Sequence, residues 1–203
     1  MKKCLVTGMP NVGKTCFVIN FAEYMGVSEL KFHVKQLAGY TSINSYSLPE
    51  AKRKLISVKE NTTKEVQLIK LELPKGKTIK ELHLIDSCGL SDGIHPDKEI
   101  RLAMARTLRL IRDTEFILHI IDIKNINKDK KDKDILFPID RLILDYASLE
   151  KRYAILANKM DLSFAEMNFR ILKKNLKDII IIPISALYKE GFKEVKKMVL
   201  SYV

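Results

Sequence analysis

Apolar residues along this chain gather in short unbroken runs that alternate with stretches of helical periodicity. The runs at Cys4-Leu5-Val6, 115–122, 153–157 and 179–182 have the pattern of strands buried on both faces of a parallel sheet. Residues 65–73 alternate instead; with the turn Pro74-Lys75-Gly76-Lys77 and the arm 79–86 they read as a hairpin. Helices are predicted over 15–25 with Gly26 as the stop, over the stripe Ile100, Met104, Thr107, Leu108 and Ile111, around 139–149, and over 164–176. A last helix places Phe192, Val195, Val199 and Val203 on one face, with Lys189, Lys193, Lys196 and Lys197 turned outward. Residues 27–52 show no period and are predicted to be a long loop with at most a short strand, followed by an edge strand at 55–58. Strands alternating with helices imply a single α/β domain over residues 1–203, its sheet mostly parallel with one antiparallel edge from the hairpin and helices on both faces.

In such sheets ligands lie beyond the carboxyl ends of the strands, and four polar clusters fall there. Gly8-Met9-Pro10-Asn11-Val12-Gly13-Lys14-Thr15 joins a strand to a helix, the arrangement of a phosphate cradle. Its glycines let the backbone curl so that N–H groups along Asn11, Val12, Gly13, Lys14, Thr15 and Cys16 can face phosphate, with the helix start adding its positive end. Lys14 can reach the terminal phosphates, and the Thr15 hydroxyl can ligate magnesium. Asp86 closes a strand with Gly89 three residues on, which sets a carboxylate near the metal and an unobstructed N–H near the last phosphate. In Asn158-Lys159-Met160-Asp161 the Asp161 carboxylate can accept from the N1–H and 2-amino group of guanine, a pair adenine lacks. Lys159 can lie over the ring, Asn158 can tie the segment to the cradle, and within Ser185-Ala186-Leu187 the Ala186 N–H can donate to guanine O6.

With GMPNVGKT, DSCGLSDG, FILHIID, ANKMDL and SALYKEG in this order, the chain resembles P-loop GTPases of the translation-factor-related class, and within it the Obg and HflX group, with Era-type enzymes as cousins. The resemblance covers nearly the whole chain. It implies a three-layer P-loop NTPase sheet, GTP and GDP as ligands, Mg2+ as cofactor, slow hydrolysis of GTP to GDP and phosphate, and a switch between two loop states. It also implies ribosome or RNA association and an activating protein. In the first switch it requires a threonine whose hydroxyl joins the metal when the γ-phosphate is present; Thr41 is preferred, and Ser42 fits by another alignment. The implied catalytic set is then Lys14, Thr41 and Gly89, and the implied metal set Thr15, Thr41 and Asp86. Cys88 stands where the family usually has proline. Leu90 stands where Ras-like enzymes carry a water-orienting glutamine, and an aliphatic chain can neither position nor deprotonate water. That leaves backbone, metal, a partner's group or a monovalent cation. In related GTPases with asparagine at the position of Asn11, K+ fills the role of an arginine finger, so potassium stimulation is expected here; His95 is a second candidate for the water.

Composition narrows the picture further. Lys and Arg total 36 against 25 acids, a net charge of +11, which suits an anionic partner such as RNA or a lipid surface, or a lysine-rich solubilising surface. Arg101, Arg106, Arg109 and Arg112 lie off the apolar stripe of their helix, and residues 124–134 are mixed charge with Ile126 as the lone apolar position; each reads as a solvated face or a partner contact. The three cysteines Cys4, Cys16 and Cys88 suggest reduced thiols and a cytoplasmic address. No apolar run approaches the ~18 residues of a spanning helix, and the basic start is followed by an apolar stretch broken at Gly8 and Pro10, unlike a signal peptide. A GTP-gated adaptor with little turnover is the alternative function; an ATPase of the same architecture is disfavoured by the base-selecting cluster.

Overall fold

Phe116–Asp122 is buried along its whole length and forms the spine of the molecule. The computed structural model describes residues 2–35, 41–56, 66–75, 77–150 and 152–203. In chain order the strands are β1 (Lys2–Thr7), β2 (Glu29–Lys35), β3 (Thr41–Ser47), β4 (Val66–Lys75), β5 (Thr78–Asp86), β6 (Phe116–Asp122), β7 (Arg152–Asn158) and β8 (Ile181–Pro183). They form one sheet in the order β3-β2-β4-β5-β1-β6-β7-β8. The ladders β5/β1, β1/β6, β6/β7 and β7/β8 are parallel; β4/β5, β2/β4 and β2/β3 are antiparallel and build the edge.

The helices are α1 (Lys14–Tyr24), α2 (Leu48–Leu55), α3 (Lys98–Asp113), α4 (Pro138–Glu150), α5 (Ala165–Asn175) and α6 (Phe192–Tyr202). Strand alternation sorts them into two layers. Phe116, Leu118 and Ile120 point into a core with Phe17, Phe21 and Ala51 from α1 and α2 and with Phe192 and Val195 from α6. Ile117 and Ile121 point the other way, to Ile111 of α3, Ile143 and Leu144 of α4, and Leu172 of α5. Because β6 meets helices on both faces, it cannot show the half-polar alternation of the edge.

The mostly parallel sheet with an antiparallel edge is thus as the sequence implies, but the edge extends beyond one hairpin. Residues read as a long loop form β2, β3 and α2. In β2, among the residues whose burial is described, Leu30, Phe32 and Val34 are buried, a three-position alternation. β3 is polar and half-exposed, so its period carries little hydrophobic signal. Pro49, which reads as a loop residue, sits in the first turn of α2, where a missing N–H costs nothing. Leu55 closes α2 instead of opening an edge strand, and positions 57 and 58 of that expected strand lie outside the described residues. On α3 Ala103 takes the inward place expected of Leu108, which is 51% exposed. Lys189 precedes α6 and pairs with Glu23 at 2.7 Å, and Tyr202, not Val203, completes the buried face.

Phe192 packs edge-on against Phe17, Phe21 and Tyr24 with centroids 5.4, 5.6 and 5.8 Å away, and so fixes α6 to α1. Phe192→Ala is expected to lower unfolding stability by about 3–5 kcal/mol in urea titration. A loss below about 1 kcal/mol would show that this cluster does not hold the layer.

Candidate functional site

Between the end of β1 and the start of α1 the backbone has no room for side chains at two points. A Cβ on Gly8, at φ 139°, would lie 2.2 Å from the Ile120 carbonyl oxygen, and one on Gly13, at φ 98°, would lie 2.4 Å from Asn158 Nδ2. Asn11 also takes a left-handed φ of 59°, so the chain curls tightly here. α1 has no side-chain cap and no acidic residue in its first turn, which leaves its amino end suited to an anion. Lys14 is buried, and its Nζ donates to the Met9 carbonyl at 2.7 Å. Burial pulls its pKa below the ordinary lysine value, with the Asp86 carboxylate opposing that shift.

The Thr15 hydroxyl donates to Asp86 Oδ2 at 2.7 Å. Burial pushes the Asp86 carboxyl up to about 6, against the Thr15 hydrogen bond and the Lys14 charge. Among the described residues its Oδ1 is buried without a hydrogen-bond partner, an acceptor that asks for a donor. A hydroxyl, one carboxylate and phosphate oxygens form the kind of hard set that magnesium takes, so these residues fit it. No cluster of three metal-binding side chains forms among the described residues. Gly89 lies against the cradle: a Cβ there would meet Pro10 N at 2.7 Å, and the Leu90 N–H donates to the Gly8 carbonyl at 3.1 Å. Leu90 is fully buried. Cys88 is buried too, and burial raises its thiol pKa. His95 accepts the Asp97 N–H through Nδ1 at 3.1 Å, which binds it to the start of α3.

The structure does not bring Thr41 or Ser42 to this pair. Thr41 opens β3 opposite Lys35, and β2 and β4 intervene before β5, which carries Asp86. Three strand spacings put it roughly 14 Å to the side. The chain that enters the sheet next to Asp86 is β4, where Gln67 is in register with Asp86. Thr62 and Thr63 lie just before that strand, outside the described residues.

At the other end of the site, Asn158 Nδ2 donates to the Val12 carbonyl at 2.7 Å, and Asn158 Oδ1 accepts from the Ala186 N–H at 2.9 Å. That amide therefore faces Asn158, where the sequence reading aimed it outward; a purine oxygen would have to share it. The Ala186 carbonyl is held by Asn20 Nδ2 at 2.7 Å, with Cys16 Sγ at 3.6 Å. Leu187, next in the turn, is 61% exposed. Ser185 Oγ donates to Asp161 Oδ1 at 2.6 Å and accepts the Tyr188 N–H at 3.2 Å, which orients the exposed carboxylate. Lys159, at φ 70°, reaches back to the Asn11 carbonyl at 3.1 Å and to Asp122 Oδ2 at 2.6 Å. Sequence reading missed Asp122 and Asn20. The signal for Asp122 was a carboxylate closing a strand whose other polar residue is His119; the structure sets it in register with Asn158.

A family model described as 50S ribosome-binding GTPase matches residues 3–159. The chain is 27% identical over 200 residues to the GTPase Der of Campylobacter hominis, an alignment covering 98% of this chain and 34% of Der. Among solved structures, a point variant of Aquifex aeolicus Era bound to GDP and AlF4− matches with a TM-score of 0.69 at 20% identity, over 100% of this chain and 57% of that one. Era in complex with MgGDPNP and nucleotides of 16S ribosomal RNA matches with a TM-score of 0.66 at 21% identity, over 99% and 56%. The chain spans about a third of Der's length and just over half of Era's. At these identities the structural likeness shows the fold.

Asp122 is 2% exposed and anchors Lys159 while accepting the Lys124 N–H at 3.0 Å. Asp122→Asn removes the charge and keeps the shape, so guanine-nucleotide affinity is expected to fall by roughly 10- to 100-fold, the worth of a hydrogen bond to a charged group. Titration with a fluorescent GDP analogue measures it. An unchanged affinity would mean that Lys159 does not depend on this anchor.

Proposed function

Because the chain belongs to the 50S ribosome-binding GTPase family, we propose that residues 1–203 act as one guanine-nucleotide switch that binds GTP and GDP with Mg2+, hydrolyses GTP to GDP and phosphate, and works with RNA or the ribosome. The observation that carries this reading is Asn158, whose single amide group holds the phosphate loop at Val12 and the purine turn at Ala186 together. The family's relatives Der and Obg are GTPases, and one Era structure holds ribosomal RNA. The three free thiols are in keeping with a cytoplasmic protein. Among the described residues no helix is long and apolar enough to cross a membrane.

In this reading the Asn11 to Cys16 backbone wraps the phosphates, Lys14 swings from Met9 to the terminal phosphate, and the Gly89 N–H meets the γ-phosphate. Thr15 and Asp86 would hold the magnesium, which when bound neutralises charge on the phosphates. The switch hydroxyl comes from Thr62 or Thr63. Asp161 accepts from guanine, Lys159 covers the ring, and the Ser185-Ala186-Leu187 turn closes its edge.

Leu90 is fully buried, so no side chain from that position can orient water. Turnover then depends on backbone groups, on a partner, or on K+ beside Asn11. This favours a slow intrinsic rate, and it is the one observation that speaks for the adaptor alternative.

Two measurements test the proposal. Asp161→Asn exchanges an acceptor for a donor toward the purine 2-position, so the variant is expected to prefer XTP to GTP by at least about tenfold. Retained GTP preference would refute the assigned base pocket. Phosphate release in KCl is expected to exceed that in NaCl at equal ionic strength by about tenfold or more; equal rates would remove potassium from the account.

A further inference from the structure

Two segments leave the guanine end of the site, 123–135 after Asp122 and α5 after Asp161, and they converge on a cleft of about 630 Å3. Lys128, Lys130, Lys131, Lys174 and Lys177 line it. Asp132 and Asp178 also line it, so cations prevail. Among the described residues none of these five lysines forms an ion pair, while their neighbours Lys133 and Arg141 pair with Asp145 and Asp134. Lysines left free in this way repel one another, and a loose loop would let them spread.

This loop is fastened instead. The Asp132 N–H donates to Asn175 Oδ1 on α5 at 2.7 Å, the Asn127 N–H to the Ile135 carbonyl at 2.8 Å, and Asn168 Nδ2 to the Ile123 carbonyl at 2.9 Å. Ile126 and Ile135 are buried beneath it, and Asp132 holds a left-handed φ of 51°, a conformation costly for a residue other than glycine. A loop that fixes like charges together around a concavity is prepared for a polyanion.

We propose that this cleft is a docking surface for the phosphate backbone of double-stranded RNA. The concave shape accepts a curved sugar-phosphate strand, whereas a flat bilayer would touch only its rim. Among the described residues the lining contains no aromatic side chain on which unstacked bases could lie, so the contacts are with phosphates and are indifferent to sequence. That the polynucleotide is RNA rests on the function proposed above; that the cleft takes a phosphate chain rests on its lysines alone.

The test is fluorescence anisotropy of a labelled duplex RNA of about 20 base pairs with the full chain over a range of KCl concentrations. The logarithm of affinity is expected to fall linearly with the logarithm of salt, and Lys174→Gln/Lys177→Gln is expected to weaken binding at least about tenfold and flatten the slope by about 2. Lys193→Gln/Lys197→Gln changes the net charge equally on the exposed side of α6 and is expected to leave the slope unchanged. Equal effects of the two double variants would overturn the proposal, as would tight binding of anionic phosphatidylserine vesicles with none of RNA. GDP titration of the same variants separates the two readings: intact nucleotide binding with an unaltered RNA slope defeats the cleft alone, and absent nucleotide binding in the wild type defeats the switch.

Discussion

Asn158 is the constraint to which the rest of the site conforms. Its side chain lies so close to the cradle that Gly13 has no space for a Cβ, and its two polar atoms are both used, one toward the phosphate loop and one toward the purine turn. Each such buried bond contributes only about 1 kcal/mol net, but a lost partner leaves a buried group unsatisfied at a cost of about 1–3 kcal/mol. The two ends of the site are therefore fixed at one separation. β7 delivers Asn158, β1 delivers the cradle, and β6 lies between them, buried on both faces, so the separation is set by the stiffest part of the sheet.

The phosphate end is built at the expense of stability. Lys14 and Asp86 are both buried charges, and burial works against the ionised form of each. The sign for Asp86 follows: with its carboxyl raised to about 6 in the folded protein, its contribution favours folding below the unfolded carboxylate range and is lost as pH rises through about 6. Near neutral pH the burial of these two groups opposes folding, and a polyphosphate with its cation would relieve it, which is how a ligand would stabilise the folded state. The orphan Oδ1 of Asp86 is the most local sign of that condition.

Much of this was legible in the sequence because the relevant residues carry strong local rules. Gly8 and Gly13 announce a turn no other residue can make, and the run ending at Asp122 announces a doubly buried strand. The outermost strands β2 and β3 were not legible beyond the predicted hairpin, since β3 presents serine, threonine and asparagine on a half-exposed surface and buries little to betray its period. That omission placed the expected switch threonine at Thr41, about 26 positions ahead of Gln67, which the register of β4 and β5 sets beside Asp86. Asp122 shows in the sequence only as a carboxylate closing a buried strand, while its pairing with Lys159 and the inward turn of the Ala186 amide depend on contacts between segments distant in sequence.

The account stands on one nucleotide bridging cradle and base pocket, and calorimetric titration with GDP, GTP and ATP in magnesium addresses it directly. GDP and GTP are expected to bind with one-to-one stoichiometry at micromolar affinity or tighter, and ATP at least about a thousandfold more weakly, as a pocket of paired polar groups demands. Comparable binding of ATP, or no binding of either guanine nucleotide, would contradict it.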